Sequence, residues 1–112
     1  MPVTLETVRK RQGTWIEHTP DGDLHVTYSL DLMTPDHQER VVKALPKPYT
    51  FYQFWAAMLQ LVVEWDLLGS DGLPIPIDAE AFERERLPLP ILQHIHARIW
   101  EDARANPMRR GT

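Results

Sequence analysis

The sequence predicts an α+β fold that is mainly α, with an N-terminal β-hairpin packed on a small helical bundle. An Asp-Gly turn between alternating runs predicts the hairpin, and apolar residues at helical spacing in proline-free windows predict the helices. The chain has 112 residues and ten prolines. Because proline interrupts helices and central strands, each proline marks a boundary between elements. One compact domain is expected, with a short helix and the hairpin in residues 1–33, a helical core in 34–106 and a flexible tail in 107–112.

The two ends of the chain carry the shortest predicted features. Thr4 is typical of a helix N-cap, and it predicts a short helix over residues 5–11 that Gly13 would end. At the other end, Asn106-Pro107 stops the last helix, and residues 108–112 are expected to fray.

The hairpin prediction depends on Asp21-Gly22. Apolar and polar side chains alternate on both sides of this dipeptide, and a type I′ turn favours it because both central residues need a positive φ. With these two residues as the turn, Trp15 is expected opposite Tyr28 and His18 opposite His25.

Residues 49–68 are expected to form the core helix. Successive apolar residues are separated by four, three, four and three positions: Phe51, Trp55, Met58, Val62 and Trp65. Tyr52, Leu59 and their neighbours widen this face, so that only a narrow polar stripe remains. Such a helix must be covered on most sides by its own domain or by other subunits.

Three further helices are predicted. Thr34-Pro35 is typical of a helix start, Asp78 can cap a short helix to Arg86, and residues 90–105 form the C-terminal helix. The apolar stripe of that last helix is Leu92, Ile95, Ile99 and Ala103. The proline-rich segment 73–77 is expected to lie extended on the core, because two of its residues lack the N–H of a central strand.

The composition excludes several classes of function. The absence of cysteine removes disulfides, cysteine metal sites and thiol catalysis. A net charge of −4 and scattered basic residues disfavour nucleic-acid binding, which needs a clustered basic surface. The sequence predicts neither a secretion signal nor a membrane span, because its most apolar stretch is interrupted by charged residues.

The histidines are the remaining candidates for metal or acid–base chemistry. His18 and His25 facing each other could begin a zinc or nickel site, but no third ligand is evident, and two exposed polar residues are the favoured interpretation. His94 and His96 are two positions apart on a helix and therefore diverge. No serine or threonine has the context of a catalytic nucleophile. The sequence therefore predicts neither an enzyme nor a bound metal or cofactor.

A family resemblance emerges from three motifs in the second half of the chain. These are Val62-Val63-Glu64-Trp65-Asp66-Leu67, then Ser70-Asp71-Gly72-Leu73-Pro74-Ile75-Pro76, then Leu87-Pro88-Leu89-Pro90-Ile91-Leu92. Together with the order of the preceding elements, they resemble the tail assembly chaperones of long-tailed bacteriophages. The resemblance covers nearly the whole chain and is clearest over residues 62–104.

The resemblance implies a non-catalytic assembly factor in the host cell cytoplasm. Such a factor binds the tape measure protein, keeps it soluble, and helps the major tail tube protein polymerise around it without ATP. Self-association is also expected, and neither nucleic acid nor membrane is an expected partner. Six residues on the two long helices are the predicted partner contacts, for sister subunits or for an amphipathic helix of the tape measure protein: Tyr52, Leu59, Trp65, Leu92, Ile99 and Trp100.

Two alternatives to a chaperone remain open at this stage. The first is another phage tail morphogenesis protein, such as a tail completion or connector subunit whose hairpin pairs with neighbours in a ring. The second is a DNA-binding regulator, which the acidic pI of about 5.7 and the lack of a basic recognition helix disfavour.

Overall fold

The computed structural model describes residues 11–105. In chain order, the elements are β1 (Gln12–Thr19), β2 (Gly22–Ser29), a 3-10 turn (Leu30–Leu32), α1 (Pro35–Lys43), α2 (Phe51–Met58), a 3-10 turn (Leu59–Leu61), β3 (Val62–Trp65), α3 (Ala79–Arg84) and α4 (Leu89–Ala105). The three strands form one antiparallel sheet in the order β1-β2-β3. This arrangement confirms the predicted α+β fold class. The expected helix from Thr4 and the expected tail lie outside the described residues, apart from Arg11, which is not helical.

The hairpin forms as predicted, but its register is wrong by two residues. Two pairings differ: Trp15 lies opposite Val26 instead of Tyr28, and His18 lies opposite Asp23 instead of His25. Because side chains alternate with a period of two, a shift of two residues leaves each side chain on its predicted face. Trp15, Val26 and Tyr28 accordingly all point into the core.

The turn explains the shift in register. Thr19 pairs with Gly22, so the two-residue loop is Pro20-Asp21 and not Asp21-Gly22. The Thr19 hydroxyl donates to the carbonyl of Gly22 and accepts from the amide of Asp21 at 3.3 Å. Gly22 has a φ of +132°. A residue with a side chain would be strained in this backbone conformation, so the glycine is needed just after the loop.

The predicted core helix over residues 49–68 is wrong in its second half. Helix α2 ends at Met58, and the chain then becomes β3, which pairs with β2. Val63 is an extra residue in this pairing, a β-bulge, so Val62 and Trp65 both face the core although they are three positions apart. A bulged strand therefore reproduces the spacing of a helix face.

The other predicted helices are confirmed. The Thr34 side chain accepts from the amide of His37 at the start of α1, and Asp78 accepts from the amide of Ala81 at the start of α3. Helix α4, Leu89–Ala105, covers the whole predicted span and begins one residue earlier. Among residues 11–105, no helix is both long and apolar enough to cross a membrane.

A single apolar core joins the inner face of the sheet to α2, α3 and α4. Its fully buried large side chains are Val26, Tyr28, Leu59, Leu61, Phe82, Leu92, Ile95 and Ile99. The proline-rich connector contributes Ile75, which is 4% exposed, and the indole of Trp65 donates to the Ile75 carbonyl at 2.7 Å. The expectation that this connector lies on the core is confirmed at Ile75, whereas Leu73 is 63% exposed.

Gly13 and Tyr28 are in close contact across the hairpin. They are cross-strand partners, and a Cβ on Gly13 would lie 2.3 Å from the Tyr28 ring. The ring is 1% exposed, and its hydroxyl bonds to Asp102 on α4. Tyr28 therefore links the sheet to α4 and has little freedom to move away.

Gly13→Ala should lower the free energy of unfolding by about 1–3 kcal/mol, because the added methyl overpacks a buried ring. Gly69→Ala is the matched control, since its Cβ would meet only the end of the Glu85 side chain, at 3.1 Å. Urea denaturation followed by circular dichroism measures both variants. Equal effects of the two substitutions would contradict the close Gly13–Tyr28 contact.

Candidate functional site

Four of the six predicted partner contacts lie in the core. Leu59, Trp65, Leu92 and Ile99 are at most 6% exposed. The expectation that they form an accessible contact face is therefore corrected: in this fold they hold the sheet, α2 and α4 together. The apolar periodicity correctly identified these positions as buried. It could not show whether they are buried in the core or at an interface with a partner, because both faces have the same spacing.

Tyr52 and Trp100 are half-buried, so part of each side chain reaches the surface. The Tyr52 hydroxyl donates to the Leu87 carbonyl at 2.8 Å, and the Trp100 indole donates to Nε2 of His96 at 3.2 Å. Each polar group thus has an internal partner, which leaves only ring surface for contact with another protein. For these two residues, partner binding stays a prediction.

His96 lies between two indoles. Its ring centroid is 5.6 Å from that of Trp55 and 6.3 Å from that of Trp100. Burial lowers the pKa of His96, because the surrounding side chains replace the water that would solvate an imidazolium. The neutral ring can accept the Trp100 hydrogen bond at Nε2, and protonation would remove that acceptor.

The possible metal pair on the hairpin does not form. His18 bonds to Asp23 at 2.9 Å, while His25 bonds to Asp66, which follows β3, at 2.7 Å. The amide of His25 also donates to Asp66. Within residues 11–105, no group of three or more histidine, aspartate or glutamate side chains is suited to hold a metal ion.

The described residues form an open depression of about 520 Å³, here called the hairpin groove. It lies between the tip of the hairpin, the segment that follows β3, and the N-terminal end of α4. Its apolar lining comes from Leu24, Leu67, Leu68, Pro90, Ile91 and Ile95. Leu68 is 56% exposed and Ile91 is 41% exposed, so the groove presents apolar surface to solvent.

The charged lining of the hairpin groove is acidic. Its carboxylates are Glu17, Asp21, Asp23 and Asp66, and the part of the chain that the structure describes contributes no lysine or arginine to the lining. All four belong to the hairpin or to the segment that follows β3, whereas the α4 wall contributes Pro90, Ile91, His94 and Ile95. The groove therefore has one acidic side and one mainly apolar side.

His94 connects the two walls. Its Nε2 lies 2.8 Å and 3.1 Å from the two carboxylate oxygens of Glu17 on β1, and its ring packs edge-on against Trp15. The indole of Trp15 is itself buried in the sheet face. This contact fixes the start of α4 relative to the hairpin and so sets the shape of the groove.

A second depression of about 390 Å³ lies between α1, α2 and the start of α3. Its lining is mostly apolar and includes Val41, Leu45, Ala56, Ala57 and Ile77. Its charged lining residue, Asp78, already accepts the amide of Ala81 as the N-cap of α3. The charges around this depression therefore do not select a ligand.

Sequence reasoning missed the hairpin groove. Ile91 stands off the Leu92 stripe, Leu68 follows a strand that the spacing predicts to be helix, and the sequence assigns Asp21 to the turn alone. The acidic turn and the off-stripe Ile91 were the available signals. Because the walls are far apart in sequence, no local pattern could join them.

Comparisons with protein-family models, with curated proteins and with solved structures each found no match to this chain.

Lowering the pH should destabilise the wild type more than a His96→Gln variant. A proton binds first to the unfolded chain, where His96 has its ordinary pKa of 6.5, since the folded state lowers that pKa. Stability that is complete above pH 6.5 is therefore lost as the pH falls below it. Glutamine retains an acceptor for Trp100 but does not titrate.

Urea denaturation of both proteins between about pH 5 and pH 8 gives the difference in unfolding free energy, in the range where histidine charge changes. This difference should be constant above pH 6.5. Below pH 6.5, the unfolding free energy of the wild type should fall relative to that of the variant. A difference that stays constant throughout would contradict the desolvation of His96.

Proposed function

We propose that this chain is a non-catalytic tail assembly chaperone of a long-tailed bacteriophage, which binds the tape measure protein in the host cell cytoplasm. One observation carries the proposal. Asp66-Leu67 closes the first motif that resembles the family, Pro90-Ile91 belongs to the last, and all four residues line the hairpin groove. Motifs that are separate in sequence thus meet at an open apolar surface.

The groove would act by covering apolar side chains of the partner. A tape measure helix that places an apolar stripe on Leu68 and Ile91 removes that stripe from water, which is worth about 25 cal/mol for each Å² of apolar surface buried. Because such a contact is non-covalent, it is reversible, and release to the growing tube needs no ATP. The partner would stay soluble until the tail tube protein replaces the chaperone along it.

Self-association belongs to the same proposal but needs a different surface. Outside the groove lining, Phe51 is 71% exposed and Val63 is 53% exposed. These side chains lie at the start of α2 and in the bulge of β3. They are available to sister subunits while the groove holds the tape measure protein.

Co-expression with a fragment of a phage tape measure protein tests the function. The chain should raise the soluble fraction of the fragment and co-purify with it, because the groove shields its apolar stripe. Ile91→Asp should abolish both effects, since it places a charge among the apolar lining residues. Ile16→Asp is the matched control, because Ile16 is 45% exposed but lies on β1 outside the groove lining.

The amount of this protein in finished phage tails distinguishes the proposal from the alternative of a tail completion or connector subunit. A chaperone acts during assembly and should be absent from finished tails. Stoichiometric incorporation into tails, without solubilisation of the tape measure fragment, would overturn the chaperone function in favour of the alternative.

A further inference from the structure

We propose that the hairpin groove binds an amphipathic helix that carries lysine or arginine along one edge of its apolar stripe. This inference deepens the proposed function, on which it rests for the biological partner. It is argued from charge, from the state of the backbone around the groove, and from the geometry of its walls.

Charge complementarity selects a basic partner. Among residues 11–105, the groove lining includes four carboxylates, Glu17, Asp21, Asp23 and Asp66, and no lysine or arginine. The side chains of Asp23 and Asp66 bond to His18 and His25 but are still 44% and 43% exposed, so an incoming cation can approach them from solvent. An acidic partner would be repelled by the same side, and like-charge contacts are an effective means of rejecting wrong partners.

The position of the carboxylates makes this preference one-sided. All four lie on the side formed by the hairpin and the segment after β3, whereas Pro90, Ile91 and Ile95 line the α4 side. A helix in the groove would therefore have basic residues on the edge that faces the carboxylates, while its apolar stripe lies between Leu68 and Ile91. A helix presents such edges through residues three or four positions apart.

The backbone around the groove favours a helix over an extended strand. The Leu67 carbonyl accepts from the amide of Ile75 at 2.8 Å, and the amide of Gly69 donates to Leu73 at 2.8 Å. The segment after β3 is thus already paired with the connector and offers no strand edge, so on this side of the groove a partner must be held by side chains, as in helix-in-groove recognition.

The groove is large enough for a few apolar side chains of a partner helix but not for the whole helix. A volume of about 520 Å³ with exposed Leu68 and Ile91 at its surface accommodates a few large apolar side chains. An amphipathic helix supplies these from one stripe, at positions i, i+3, i+4 and i+7. Its own backbone hydrogen bonds are internal, so the apolar groove walls leave none of them unsatisfied.

Two synthetic peptides provide the test. Each has about 20 residues, long enough to form a helix in water. Both carry the same leucine stripe, but one has lysine along one edge of the stripe and the other has glutamate there. Fluorescence anisotropy with the full chain should show the lysine peptide binding about tenfold or more tightly than the glutamate peptide. The advantage should shrink as salt is added, because the rim charges are exposed.

Charge reversal on the groove supplies the decisive variant. In an Asp21→Lys, Asp23→Lys double variant the preference should be lost, because the two lysines offset the two remaining carboxylates, Glu17 and Asp66. Asp31→Lys with Glu39→Lys is the control, because it makes the same change in net charge at exposed positions outside the groove. The control should retain the preference for the lysine peptide.

The apolar part is tested by a second matched pair. Leu68→Asp should reduce binding of the lysine peptide at least about tenfold, whereas Leu73→Asp, at a similarly exposed site outside the groove lining, should leave it unchanged. Equal binding of the two peptides to the wild type, or binding that Leu68→Asp leaves intact, would overturn the inference. Circular dichroism of each variant shows whether the fold is retained.

The outcomes separate this inference from the proposed function. Selective binding of the lysine peptide, with no solubilisation of a tape measure fragment, would support the groove assignment and reject the chaperone function. Solubilisation of the fragment by both the wild type and the charge-reversal variant would support the chaperone function and reject the basic-edged helix as its ligand.

Discussion

The burial of Trp65 connects more of this structure than any other contact described above. Its backbone pairs with β2, its ring lies 6.0 Å from that of Phe82 on α3, and its indole bonds to the carbonyl of Ile75. One side chain therefore holds the sheet, the proline-rich connector and a helix. The connector, once held, pairs with the segment after β3 and fixes Leu67 and Leu68 as a wall of the hairpin groove. The groove is thus a consequence of core packing.

The sequence was sufficient for those elements whose signals are local. The caps at Thr34 and Asp78 satisfy free amides at helix starts, so these two helices could be located from single residues. The α4 helix was predictable because its apolar stripe, from Leu92 to Ala103, is repeated over about three turns. In each case, the residues that decide the structure lie within a few positions of one another.

The predictions failed where the local structure depends on residues that are distant in the sequence. Val62 and Trp65 fit a helix face by spacing, and only pairing with β2 makes the segment a bulged strand. The hairpin register depended on whether Pro20 or Gly22 occupied the loop, and the Thr19 hydroxyl favours the former. In the candidate site, Asp66 is 41 residues from the His25 that it binds, and Glu17 is 77 residues from His94. Contacts at such separations have no signature in one sequence.

The bulge at Val63 also limits how the sheet could grow. β3 is short, its pairing is irregular, and the segment that follows it is bonded to the connector, so this edge is a poor template for another strand. Within the described residues, the opposite edge is β1, a regular strand of eight residues. Extension of the sheet through β1 alone would give a closed pair about a two-fold axis, because a ring or a fibre formed by strand pairing needs two complementary edges.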